Sequence, residues 1–182
     1  RISTSEDITF QGNYVGLNAL GNPLGNGGDG AVFYGTIDTT IGGTSVANRN
    51  IISANTGDGI HIYRDCSSQN VSYNSTTFNN YIGTTTNGTV QTGYGNGGAG
   101  IEVNEYYGGC VSVYKHQIGG DSVGQANIIA GNTNQGILIH QGGNQDVFSI
   151  STIGNSIYSN GQFGIDLARD VENDNGVADT DL

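Results

Sequence analysis

Methionine and tryptophan are absent from this 182-residue chain, and proline and lysine each occur once. With leucine and glutamate also scarce, the residues from which α-helices are most readily built are few, which argues against a helical protein. Five basic residues stand against 16 acidic ones, for a net charge of -11. A chain so poor in Lys and Arg cannot displace counterions from a phosphate backbone, so nucleic acid is not an expected partner. No apolar run approaches the roughly twenty residues that span a bilayer, and no signal-peptide core is present. Membrane insertion is therefore not expected either.

What the chain has in quantity is glycine, 32 residues, and asparagine, 22. Both tolerate left-handed backbone angles and serve tight turns. They recur in order: Asn127 to Ile139 reads NIIAGNTNQGILI, Asn50 to Ile62 reads NIISANTGDGIHI, and Asn155 to Leu167 reads NSIYSNGQFGIDL. Asn13 to Phe33 and Asn80 to Val103 keep both ends of this unit and enlarge the bend between them. A repeat of this length means a solenoid.

Each copy supplies three short strands. The first is Asn-x-Ile or Asn-x-Val, and the second follows the glycine and alternates strictly, which splits its side chains between two faces. Ala31 and Phe33, Ile60 and Ile62, Ile101 and Val103, Ile137 and Ile139, and Ile165 and Leu167 form the inward face. A less regular third strand is read at Ile8 and Phe10, Ile37 to Ile41, Val71 to Tyr73, Val111 to Val113, and Phe148 to Ile150. Stacking then puts Asn50, Asn127 and Asn155 on one corner of the coil and Asn55, Asn132 and Asn160 on another, where side-chain amides in register bond one another. The expected fold is an all-β, right-handed parallel β-helix of about five coils over residues 1–169, with an acidic tail over 170–182 linking to flanking sequence.

The motifs NYVG, GNGGDG, TIGG and RNIISANTGDGI, echoed by NYIG, GNGGAG, QIGG and ANIIAGNTNQGI, resemble the Asn/Gly-rich β-helix repeats of secreted and surface-attached bacterial proteins. The resemblance covers nearly the whole chain and implies a pectin-lyase-like fold in an extracellular or cell-surface setting. It implies no single activity, because one fold hosts lyases, hydrolases, epimerases and adhesins. The NTD, DD, GHG and RIK motifs of polygalacturonases and the DPH motif of uronan epimerases do not occur.

On the outward face of the second strand, one row reads Val32, His61, Glu102, Leu138, Asp166 and the next Tyr34, Tyr63, Asn104, His140, Ala168. His61 and Glu102, on adjacent coils, are placed to form a hydrogen-bonded acid/base pair. Asp166 falls two coils on, roughly 10 Å away by strand spacing, near the separation of an inverting glycosidase. These three are the catalytic candidates. Tyr34, Tyr63, His61, Glu102 and His140 are the candidate polysaccharide-binding residues, and an ordinary solvated face is the alternative for both.

Cys66 and Cys110 leave the second strand of neighbouring coils on the same side, so a disulfide is expected, with two free thiols as the alternative. Asp170, Glu172, Asp174, Asp179 and Asp181 gather hard oxygen ligands suited to Ca2+, with a merely solvated tail as the alternative. No other cofactor is required. Neither end carries an amphipathic cap, so flanking coils or other copies of the chain are expected to cover the ends. The function read from these features is that of an extracellular structural or adhesive module, part of a surface protein or filament. The alternative is a module that binds or cleaves polysaccharide.

Overall fold

Glycine and asparagine turns set between short apolar strands fold into stacked coils. The computed structural model describes residues 1–63, 72–104, 113–141 and 147–169. Coil 1 contains β1 (Ile2–Ser3), β2 (Thr9–Phe10) and β3 (Tyr14–Val15), and coil 2 contains β4 (Ala31–Tyr34), β5 (Thr39–Gly42) and β6 (Ile51–Ile52). Coil 3 follows with β7 (Ile60–Tyr63), β8 (Ser72–Phe78) and β9 (Tyr81–Ile82), and coil 4 with β10 (Ile101–Asn104), β11 (Val113–Gly119) and β12 (Ile128–Ala130). Coil 5 is β13 (Ile137–Gln141), β14 (Val147–Ile153) and β15 (Ser156–Tyr158), and β16 (Ile165–Arg169) opens a sixth. One 3-10 turn, Val46–Asn48, is the only helical element among the described residues.

Every third strand lies in the same sheet. The first sheet is β1-β4-β7-β10-β13-β16, the second β2-β5-β8-β11-β14 and the third β3-β6-β9-β12-β15. All pairings are parallel. The protein is a parallel β-helix.

The inward rows stack as the alternation requires. Phe33, Ile60, Ile62, Ile101, Val103, Ile137 and Ile139 are buried together with Ile41, Ile52, Ile82, Ile118 and Ile129 from the other two sheets. Full burial of such a side chain contributes roughly 1.5–3 kcal/mol. The second sheet departs from the sequence expectation in coils 3 and 4. Its strands continue to Phe78 and Gly119, well past the stretches around Val71 and Val111. The reason is that their buried positions include polar groups, Ser75, Thr77 and His116, which hide the apolar alternation. Ser75 Oγ pairs with His116 Nδ1 inside the core.

Two asparagine ladders run the length of the coil stack. In the first, the Nδ2 groups of Asn13, Asn50, Asn80 and Asn127 donate to the Oδ1 of Asn50, Asn80, Asn127 and Asn155 at 2.9, 2.9, 3.1 and 2.8 Å. The second links Asn26, Asn55, Asn96, Asn132 and Asn160 at 2.8, 2.9, 2.8 and 3.0 Å. Each accepting oxygen also takes a backbone N–H of the coil before it, as Asn127 Oδ1 does from Asn80 at 2.9 Å. Buried amides are thereby satisfied by one another, which removes the penalty of burying them.

Part of the outer face of the third sheet is covered. Leu17 and Tyr94, from the two long bends, pack on Ile51 with Ala54 and Tyr81 beside them. Arg49 lies over the Tyr81 ring at 3.9 Å and donates to the Asn79 carbonyl at 3.1 Å.

Candidate functional site

The outer face of the first sheet gathers ionisable and aromatic side chains. Its register aligns Val32, His61, Glu102, Leu138 and Asp166 in one row, and Tyr34, Tyr63, Asn104, His140 and Ala168 in the next. Two further carboxylates arrive from the turns just before the strands. Asp29 and Asp58 each precede the glycine that opens β4 or β7, and each is locked through one oxygen to the coil above. Asp29 Oδ1 accepts the Asp58 N–H at 2.9 Å, and Asp58 Oδ1 accepts the Ala99 N–H at 2.6 Å.

Glycine makes this docking possible. A Cβ at Gly57 would stand 2.2 Å from Asp29 Oδ1, and one at Gly98 would stand 2.1 Å from Asp58 Oδ1. Each carboxylate is thus seated against bare backbone, with its second oxygen left for neighbouring side chains. Asp29 Oδ2 takes His61 Nδ1 at 3.2 Å.

The expected hydrogen bond between His61 and Glu102 does not form. His61 Nε2 lies 4.0 Å from Glu102 Oε1, beyond hydrogen-bonding distance, because Asp29 holds the opposite edge of the ring. That Nε2 is buried and has no hydrogen-bond partner. Glu102 Oε1 instead accepts from Asn104 Nδ2 at 3.0 Å and faces His140 Nε2 at 3.8 Å. Glu102 also shares a hydrogen bond with Asp58.

Burial, the Glu102 hydrogen bond and the Glu102 charge push the Asp58 carboxyl up to about 7, against the pull of the Ala99 N–H. Two carboxylates in contact cannot both ionise freely, and one proton between them relieves the repulsion. No Lys or Arg among the described residues pairs with these carboxylates. Asp58 therefore holds its proton well above the usual carboxylate range, beside Glu102.

An aromatic row flanks the carboxylates. The Tyr34 and Tyr63 rings lie 4.8 Å apart, and the His61 and Tyr63 rings 4.5 Å apart, both tilted, with Arg1 over Tyr34 at 4.6 Å. Four of the five candidate binding residues, Tyr34, Tyr63, His61 and Glu102, belong to this continuous patch, and His140 borders it across Glu102. Asp166 does not join them. Leu138 separates it from Glu102, and its Oδ2 accepts from Gln135 Nε2 at 2.9 Å.

Asp29, Asp58 and His61 offer one ligand atom each within 4.8 Å of one another. Asp29 and Asp58 do not figure among the candidates drawn from the sequence, where GNGGDG counts only as one of the repeat motifs. The signal was the repeated Gly-Asp-Gly at 28–30 and 57–59, each immediately before a second strand. Cys66 and Cys110 lie outside the described residues, as do Asp170, Glu172, Asp174, Asp179 and Asp181. Comparison of the chain with protein-family models, with curated proteins and with solved structures finds no match in any of the three.

Proposed function

We propose that this chain is a structural and adhesive β-solenoid module of a secreted or cell-surface protein, and that it adheres by binding polysaccharide on its first sheet. The observation that carries the reading is the row of Tyr34, Tyr63 and His61 rings beside the Asp58–Glu102 pair. Aromatic faces match the apolar C–H faces of a pyranose, and the adjoining carboxyl groups accept or donate to its hydroxyls. Loops cover the third sheet around Ile51, whereas the outer face of this sheet is half-buried and chemically mixed along its length. An acidic surface with a net charge of -11 favours neutral sugars over polyuronates, which it repels. The pectin-lyase-like superfamily and the extracellular setting are part of the same reading, supported by the Asn/Gly-rich repeats. So is end-to-end association, since stacked parallel strands pair coil on coil and unlike ends meet heterologously.

The shared proton favours a second reading, cleavage, with Asp58 as the acid and Glu102 as its carboxylate partner. A glycan array probed with the whole chain, with parallel assays for new reducing ends and unsaturated uronides, separates the two. Retention of a neutral glycan that Tyr63→Ala and Glu102→Gln each weaken at least tenfold supports binding. Turnover lost in Asp58→Asn supports cleavage. Neither retention nor turnover leaves the solenoid with its architectural role alone and overturns the polysaccharide reading.

A further inference from the structure

We infer that Asp29, Asp58 and His61 form a binding site for a first-row divalent transition metal of the Zn2+ class, with Glu102 orienting the imidazole. This site does not depend on the polysaccharide reading. The first observation is separation. Asp29 Oδ2 and His61 Nδ1 are 3.2 Å apart, and two ligands of a tetrahedral Zn2+, each about 2.0–2.1 Å from the ion, stand about 3.3 Å apart. An ion held by these two atoms sits to one side of the line between them, so the ring tilts slightly to receive it, and Asp58, within 4.8 Å, moves in as third ligand.

The second observation is the orphaned nitrogen. His61 Nε2 is buried without a hydrogen-bond partner and faces Glu102 Oε1 at 4.0 Å. A metal-bound histidine characteristically directs its other ring N–H to a carboxylate, which fixes the tautomer. With Nδ1 on the metal, Nε2 carries the proton, and Glu102 is the nearest carboxylate, which has to close in from 4.0 Å to accept it.

Rigidity is the third observation. Both aspartates are fixed through Oδ1 to backbone N–H groups of the next coil, in cradles that exist only because residues 57 and 98 are glycine. Ligands held by backbone rather than by long flexible chains lose little entropy on binding. One imidazole and two carboxylates are too few oxygens for Ca2+, which takes six to eight, whereas mixed N/O donation suits Zn2+. Three protein ligands also leave a fourth position open for water or a ligand hydroxyl.

The test is titration of the chelator-treated whole chain with Zn2+ alone at pH 7.5 by calorimetry. One site is expected that His61→Gln and Asp58→Asn each weaken by thirtyfold or more, while Asp121→Asn, remote from the cluster, leaves it unchanged. Co2+ substitution reports the ligands: weak visible bands without a thiolate charge-transfer band are expected, which distinguishes the site from Cys66 and Cys110. Imidazole 15N spectra of the unmutated protein guard against variants that fail to fold. Zn2+ should shift Nδ1 of His61 and leave its Nε2 protonated. Equal Zn2+ affinity in the wild type, His61→Gln and Asp58→Asn, a thiolate band, or an unmoved His61 Nδ1 resonance would overturn the assignment.

Discussion

His116 sits inside the second sheet with its ring buried among isoleucines and Ser75, and burial lowers its pKa from 6.5 to about 4. The folded state therefore refuses a proton that the unfolded chain accepts. Because the folded value is depressed, the stabilisation is complete above pH 6.5 and is lost progressively as pH falls from 6.5 to about 4. The interval between those values corresponds to a contribution on the order of 3 kcal/mol. Urea unfolding at pH 7.5 and pH 4.5 should show the wild type losing more stability than His116→Leu, by about 2 kcal/mol or more. Parallel losses in the two proteins would mean that His116 is not held neutral. The leucine variant leaves Ser75 Oγ without its partner, so it starts from a lower stability at pH 7.5.

Among the strands of the first sheet, the element boundary is set by a glycine on which the next coil rests. A Cβ at Gly100 would lie 2.5 Å from Ile129 Cγ2, 2.7 Å from the Gly136 carbonyl and 2.9 Å from Asn132 Nδ2. Two of these neighbours are buried and one is backbone, so none can yield cheaply. Gly100→Ala is expected to cost about 2–4 kcal/mol, in the range of overpacking combined with a broken amide contact. Gly27→Ala, where nothing lies within 4 Å, should change stability by less than about 0.5 kcal/mol. Thermal unfolding of the two variants measures the contrast. The same glycine was legible in the sequence, because it stands at a fixed place between asparagine and an alternating pair. First-sheet strands and both asparagine ladders could be read for that reason. Second-sheet strands could not be placed as well, since Ser75, Thr77 and His116 occupy inward positions as polar residues, and Ser75 and His116 pair across coils 41 residues apart. The site was half legible: alternation places His61, Glu102, Tyr34 and Tyr63 on one outer face. Asp29 and Asp58 reach that face from turns, where period-two alternation gives no direction.

Across the whole molecule, the strands of each coil pair only with those of the neighbouring coils, so stability is largely a sum of coil terms and stacking terms. Coils 3 and 4 have neighbours on both sides, and Ile82, Ile101, Asn80 and Asn96 are fully buried there. Coil 1 and the last coil keep partly buried Ile2, Phe10, Ile157 and Ile165. Hydrogen exchange on the dilute protein should therefore be slowest at the amides of Gly83 and Ile101 and faster at Tyr14 and Ser156. Uniform protection along the stack would contradict this nearest-neighbour picture. If the ends mate, as proposed above, exchange at Ser156 and Ile165 should slow as concentration rises. Such mating has a built-in sign, which follows from the asparagine ladders. Every rung donates from a lower-numbered coil to a higher-numbered one, so the amide dipoles of both ladders add rather than cancel. A coil laid on Asn13 and Asn26 has to offer N–H groups, and a coil laid on Asn155 and Asn160 has to offer oxygens. An inverted coil would bring donor against donor or acceptor against acceptor. The stack is vectorial, like a row of arrows, and it can be lengthened in either direction but not joined to its own mirror-facing end.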